Sequence, residues 1–398
     1  MSVPLDRLYN FLRDVYNHHD LIIYRFFPHG SRKIEDLNLL LPTNPFTDHT
    51  YGNVVIFHDQ EPLNFDLYTN NNIEYLSNIN ECFHQVIDLA QIESYTSIIN
   101  QHASKLNLKI KILPTLWLRP VILIHSEQRS NQVKRYESEN FIGAYWWCHA
   151  IIARDWFRYA QHDRNLIDTK TITHDFLIYN RAWTGTREYR LKFIELLIQN
   201  NIANSCLTWF NSVDDGQNYR NHKFKNVDFQ IENFDLEDYF DPTSASASAS
   251  ADYCSADYQR TNIEIVLETL FDDGRLHLTE KILRPMACAQ PFILAATMGS
   301  LEYLRGYGFE TFGDLIDESY DTMPDPAERL QAICIEMKRI SQLPQEEKNQ
   351  LFNDMKQIAL KNQQTFFSES WHQSIIDEFK QNFEDAYNQF EQIIRYPV

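Results

Sequence analysis

The sequence predicts an α/β protein of two doubly wound lobes facing each other across a cleft, with a helical C-terminal tail. Three observations carry this expectation. Short apolar runs of the kind that form buried parallel strands alternate with helical periodicity, and they do so twice along the 398 residues. A polar stretch at 162–173 (HDRNLIDTKTIT) separates the two series. Clusters of charged and amide residues follow the strands, at the carboxyl ends where open α/β sheets bind ligands.

In order, residues 5–18 read as a short helix, and Leu21–Phe27 and Asn53–Phe57 as strands, followed by His29 and by His58-Asp59-Gln60-Glu61. Val121–Ile124 is the next strand and runs into His125-Ser126-Glu127. Phe141–Trp147 leads into a helix carrying His149, Arg154, Asp155 and Arg158, expected as the floor of the first lobe with Arg154 paired to Asp155. The second series has a strand at Asp175–Tyr179 and a helix from Arg187 to Gln199, with Arg187 and Arg190 on one face. A strand at Ser205–Trp209 follows, then a polar segment at 211–260 that contains the low-complexity Ser/Ala alternation Ser244–Ala251. Ile263–Leu267 is a strand, a helix begins near Thr279, Pro291–Ala295 is a strand, and Gly299-Ser300 opens another helix. The stretch 325–392 reads as three helices. The expected domains are an acceptor-side lobe at 1–165, a second α/β lobe at 174–325, and a tail at 326–398 packing back on the first lobe.

Composition narrows the chemistry. With only 10 glycines, no GxGxxG or GxxxxGK[ST] can be built, so any phosphate is held by arginine, lysine or a helix N-terminus. A net charge of −19 argues against nonspecific nucleic-acid binding, and the cluster Arg220, Lys223 and Lys225 is too small to track a duplex. Six cysteines without metal-like spacing read as reduced core thiols. No apolar run reaches membrane-spanning length and the first residues do not form a signal peptide, so a cytoplasmic location is expected.

The most informative stretch is His277-Leu-Thr-Glu-Lys-Ile-Leu-Arg-Pro285. Thr279 is a good N-cap, and Glu280 and Lys281 fall in the first helical turn. A carboxylate there can accept ribose hydroxyls, and a lysine there can meet phosphate together with the helix dipole. The plain alternative is an ordinary capped helix with Glu280 and Arg284 as an i,i+4 pair. Arg181, closing the first strand of the second series, suits a diphosphate, with Arg187 in support; the alternative is a solvated face paired with Glu188 and Asp175. Glu61 and Asp59 are carboxylates just beyond a buried strand, placed for general-base work, with Glu127 and His149 in reserve. His125 and His149 read equally well as semi-buried side chains among aromatics.

The pattern Glu268…Thr279-Glu280-Lys281…Arg284, running into a short apolar strand, resembles the donor-binding segment of α-1,3-fucosyltransferases. It is closer still to the related glycosyltransferases of large bacteriophages. Gly299–Phe312 with Asp317–Asp321, and Phe57-His-Asp-Gln-Glu-Pro-Leu-Asn-Phe-Asp66, are similar to segments of the same family. The resemblance implies a GT-B-like pair of Rossmann-like lobes with the donor held by the C-terminal half. It implies inverting transfer of a sugar from a nucleotide-sugar to an acceptor hydroxyl, with no cofactor beyond that co-substrate and no metal. On the same basis Glu280 contacts the donor sugar or ribose and Lys281 the diphosphate or ribose, with Glu268, Thr279 and Arg284 in the same segment. Glu61 is then the catalytic base, and His125 and Glu127 lie on the acceptor side. Where the family has Phe-Glu-Asn-Ser, this chain has Val266-Leu-Glu-Thr269 and a longer following loop, so the sugar and base of the donor stay open.

Asp59-Gln60-Glu61 also resembles the acidic metal site of the other large glycosyltransferase fold. The basic signals lie in the C-terminal half, which favours a base role for Glu61. Two further readings remain: a non-catalytic sugar- or nucleotide-binding protein of the same fold, and a transferase acting on modified phage DNA. The Glu280–Lys281 pair favours the enzyme and the charge disfavours DNA, leaving a carbohydrate or other hydroxyl-bearing acceptor. If the chain is phage-encoded, its compartment is the host cytoplasm.

Overall fold

A computed structural model describes residues 21–25, 53–58, 60–65, 121–138, 141–167, 170–180, 185–210, 225–231 and 252–395. The helix expected at 5–18, Asp59, Arg181, Arg220, Lys223 and Ser244–Ala251 lie outside the described residues. The protein is α/β, and the described residues form two four-stranded sheets whose pairings are all parallel. The chain divides into two compact units, Met1–Cys148 with Ile375–Val398, and His149–Ser374.

In the first unit, β1 (Leu21–Arg25), β2 (Asn53–His58), β3 (Val121–His125) and β4 (Phe141–Tyr145) lie side by side in chain order. Ile56 registers with Leu123, and Leu123 with Gly143. Ile122, Leu123, Ile124, Ile142 and Ala144 are buried, as continuous apolar strands covered on both faces should be. Among the described residues this sheet shows no reversal of strand order, so the doubly wound pattern expected for both lobes is seen only in the second. Helix α1 (Asn131–Glu137) starts at Ser130, whose hydroxyl accepts from the amides of Gln132 and Val133. Trp146 packs against Phe379 with ring centroids 4.7 Å apart, and Asn382 Nδ2 donates to the Tyr145 carbonyl at 2.8 Å.

In the second unit, which α2 (Cys148–Trp156) enters, β5 (His174–Asn180), β6 (Cys206–Phe210), β7 (Thr261–Leu267) and β8 (Phe292–Ala295) take the order β6-β5-β7-β8. Helix α3 (Tyr189–Gln199) links β5 to β6. Helix α4 (Glu280–Ala287) precedes β8, and α5 (Ser300–Gly306) follows it. Helix α6 (Pro326–Ser341) has Asp325 as N-cap and Pro326 in its first turn, and buries Leu330, Ile333, Met337 and Ile340 at helical spacing. Helices α7 (Gln345–Phe367) and α8 (Glu369–Arg395) follow, and the unit division falls at Ser374 within α8. Arg154, expected to pair with Asp155, engages the end of α7. Its guanidinium reaches the carbonyls of Ser368 (2.6 Å) and Phe367 (3.0 Å) and the Glu369 carboxylate, satisfying acceptors left open at the end of α7.

Candidate functional site

Strand β6 follows β5 in the chain but lies on one side of it, while β7 lies on the other. The strand order therefore reverses at β5–β7, and the carboxyl ends of these two strands form the crevice where doubly wound sheets take ligands. Strand β5 ends at Asn180, and Glu268 follows β7 directly.

Glu268 is fully buried. Its carboxylate accepts from the Thr279 amide (3.0 Å), the Thr279 hydroxyl (2.7 Å) and the Thr269 amide (3.2 Å). It thus ties the start of α4 to the end of β7. The Leu267 and Glu268 carbonyls accept from Arg190 Nη2 at 2.8 and 3.0 Å, and the Tyr189 hydroxyl donates to the Glu268 carbonyl at 2.6 Å. Arg190 is therefore buried on carbonyls at a sheet end, not displayed beside Arg187. Arg187 closes a separate 3₁₀ turn, Gly185–Arg187, and is buried as well.

Thr279 is the N-cap, and the first turn of α4 presents Glu280 and Lys281. Glu280 Oε1 lies 3.0 Å from Lys281 Nζ, and Oε2 lies 3.4 Å from His149 Nε2. Burial pushes the Glu280 carboxyl up, but Lys281 and His149 outweigh this and hold it below the usual carboxylate range. The His149 ring meets the His277 ring edge to face at 5.5 Å. Lys281 Nζ is also 3.1 Å from the Thr279 hydroxyl. Its side chain is 23% exposed, against 7% for Glu280 and 4% for His149, so the ammonium is the member of the group that solvent or a ligand reaches most readily. A cation in the first turn opposes the helix dipole, whereas an anion bound there is favoured by the ammonium and the dipole together.

At the same end of the sheet, Asn180 Oδ1 and Thr297 Oγ1 are buried without a partner among the described residues. Buried polar atoms of this kind need a bound water or ligand to account for them. Arg284 is not the i,i+4 partner of Glu280. Its Nη2 donates to Glu264 Oε1 at 2.6 Å, and its guanidinium lies over the Tyr179 ring at 4.4 Å. The paired Glu264 carboxylate keeps it charged despite burial. Gly299 adopts the left-handed conformation (φ 84°) at the N-cap of α5. Its amide donates to the Asp321 carbonyl at 2.8 Å, and the Asp321 carboxylate accepts from the Leu301 amide at 3.1 Å. The stretches 299–312 and 317–321 are thus locked together.

In the first unit, Glu61 sits half-buried beyond β2, followed by buried Pro62. Its loop is fixed by others. Glu127 Oε1 accepts from the Leu63 amide at 2.7 Å, while Oε2 accepts from the Ser130 hydroxyl. Gln132 Oε1 accepts from the Phe65 amide at 2.8 Å. Glu127 is therefore a buried positioning residue for the segment that carries Glu61. Gln60 is buried beside it, with Nε2 lacking an acceptor among the described residues. His125 is buried at the end of β3, where its Nδ1 accepts from the Glu127 amide at 3.3 Å. Burial lowers its pKa to about 4, so it is neutral near neutral pH.

Sequence reasoning named Glu268, Thr279, Glu280 and Lys281, which the fold brings together with His149. It missed His277, Tyr189 and the carbonyl-binding role of Arg190. His277 stands two residues before the N-cap, and that position was its only available signal. Among the described residues no group of three or more His, Cys, Asp or Glu is arranged to hold a metal ion, and no helix is long and apolar enough to cross a membrane. Comparisons with protein-family models, with curated proteins and with solved structures returned no match.

Proposed function

We propose that the protein is a glycosyltransferase that moves a sugar from a nucleotide-sugar to an acceptor hydroxyl with inversion and without a required metal. In this reading its two α/β units serve as the acceptor and donor lobes of a GT-B-like enzyme. The observation that carries it is the first turn of α4, anchored through Thr279 and Glu268 to the β5–β7 switch point and presenting a partly exposed ammonium beside a buried carboxylate.

Lys281 and the helix dipole neutralise the departing diphosphate as the bond from the anomeric carbon to the diphosphate oxygen breaks. Glu280, held by His149, accepts hydroxyls of the ribose or of the donor sugar. Glu61, on its Glu127-anchored loop, removes the acceptor proton as that oxygen attacks the anomeric carbon from the opposite face. Asp59 belongs to the same acidic segment. In this reading Arg181 is a second cation for the diphosphate, and Arg187 and Arg284 belong to the same donor-binding set.

Lys281→Ala tests the reading. Loss of one charge-assisted contact, about 1.5–3 kcal/mol, should weaken nucleoside-diphosphate binding roughly 10- to 150-fold in calorimetry; because the variant also takes the Lys281 ammonium from the buried Glu280 carboxylate it should melt somewhat lower, and binding is measured well below its transition. Equal affinity in mutant and wild type removes the phosphate role.

A further inference from the structure

The second sheet has another concavity, at its amino end. A cavity of about 690 Å³ opens there, within the size range of small-molecule sites. It lies about 20 Å, the length of β5, from the carboxyl-end site. One wall is a face of α7, where Gln345, Asn349 and Asn353 recur every fourth residue and Lys356 closes the row. The opposite wall holds Lys170, with Asn204 and Asn262 at the starts of β6 and β7. Phe352 and Ile172 add apolar surface.

The charge of this cavity runs against that of the chain. Lys170 Nζ donates to the Thr261 carbonyl at 2.8 Å and to Gln290 Oε1, and Lys356 Nζ donates to the Ala289 carbonyl at 2.6 Å. Among the described residues neither ammonium has a carboxylate partner. The lining carboxylate of Asp175 is paired to Lys348 at 2.9 Å. Burial, with the facing charge of Lys356, lowers Lys170 to about 7, and burial lowers Lys356 as well. Two partly desolvated ammoniums that repel each other gain from an anion placed between them. Carboxamides both donate and accept, as sugar hydroxyls do.

The geometry points to a second ligand site here, for an anionic carbohydrate: a polyhydroxyl ring bearing a phosphate or carboxylate, with its charge at Lys170 and Lys356 and its hydroxyls on the amides of α7. This site is independent of the transferase reading and shares no residue with it.

Calorimetric titration of the full chain with glucose 6-phosphate, glucuronate, glucose and inorganic phosphate tests it. Saturable binding of glucose 6-phosphate or glucuronate is expected, at least tenfold tighter than glucose or phosphate alone, and the stronger of the two identifies the anion. Lys356→Gln should weaken it at least tenfold, and Asn349→Trp, at an exposed position that fills the cavity, should abolish it. Lys281→Ala should leave it unchanged. Lys170→Met removes a donor from two buried acceptors, so the first two variants decide if it does not fold. The proposal is overturned by absence of saturable binding, by phosphate or glucose binding as tightly as the anionic sugars, by unchanged affinity in Lys356→Gln, or by loss of affinity in Lys281→Ala.

Discussion

Replacing Glu268 by Gln keeps the volume of a fully buried side chain and changes only its capacity to accept hydrogen bonds. Three donors converge on this carboxylate, the Thr279 amide, the Thr279 hydroxyl and the Thr269 amide. A glutamine offers a single oxygen, and its NH₂ group meets at least one of these donors head on. Losing one charge-assisted bond and leaving a buried N–H unsatisfied costs about 2–4 kcal/mol. The loss falls on the junction between β7 and α4, so the first turn carrying Glu280 and Lys281 should loosen with it. Urea unfolding followed by circular dichroism measures the stability, and hydrogen exchange at the Thr279 amide localises it. Thr279→Ser keeps the hydroxyl and should cost less than Thr279→Val, which removes it. A Glu268→Gln variant within about 0.5 kcal/mol of wild type, with Thr279 protection intact, would refute the latch.

Two other outcomes follow from the first unit. His125 holds a pKa of about 4 in the fold against 6.5 when unfolded, so between those values the unfolded chain binds more protons. Its contribution is complete above pH 6.5 and is lost as pH falls toward 4, about 3 kcal/mol at the limit. Urea midpoints for wild type and His125→Gln from pH 7.5 to 5 should converge on acidification; parallel curves contradict the buried neutral imidazole. Glu127→Ala removes the acceptor of the Leu63 amide and should cost about 1–3 kcal/mol and speed exchange at Leu63, whereas unchanged protection there removes its positioning role.

The strands were legible because burial on both faces writes itself as a mostly apolar run: Phe176-Leu177-Ile178, and Ile263 through Leu267 with Glu264 as its one interruption, contain the buried positions that define β5 and β7. The start of α4 was legible from Thr279, since N-capping is local. Long-range partners were not. Arg284 looked like the neighbour of Glu280, yet Glu264 on β7 claims it because a buried guanidinium takes the nearest buried carboxylate. Arg190 looked like part of a solvated face and Arg154 like the partner of Asp155; both meet backbone carbonyls that helix and strand ends leave open, an acceptor set that no side-chain pattern displays. His149 gave no sign in sequence that it would meet Glu280, 131 positions on (280 − 149). The reversal of strand order that puts Glu268 at a switch point depends on which strands pair, and periodicity does not encode that.

Sugar transfer is tested by release of nucleoside diphosphate from a panel of nucleotide-sugars, compared between wild type and Glu61→Gln at saturating donor. Wild type should turn over at least one member of the panel. Glu61→Gln should bind that donor with unchanged affinity but release the diphosphate roughly 10²–10⁴-fold more slowly, as removal of a general base requires. Turnover of Glu61→Gln within a few-fold of wild type would contradict the base assignment, and a panel in which no nucleotide-sugar binds or reacts would contradict the transferase itself.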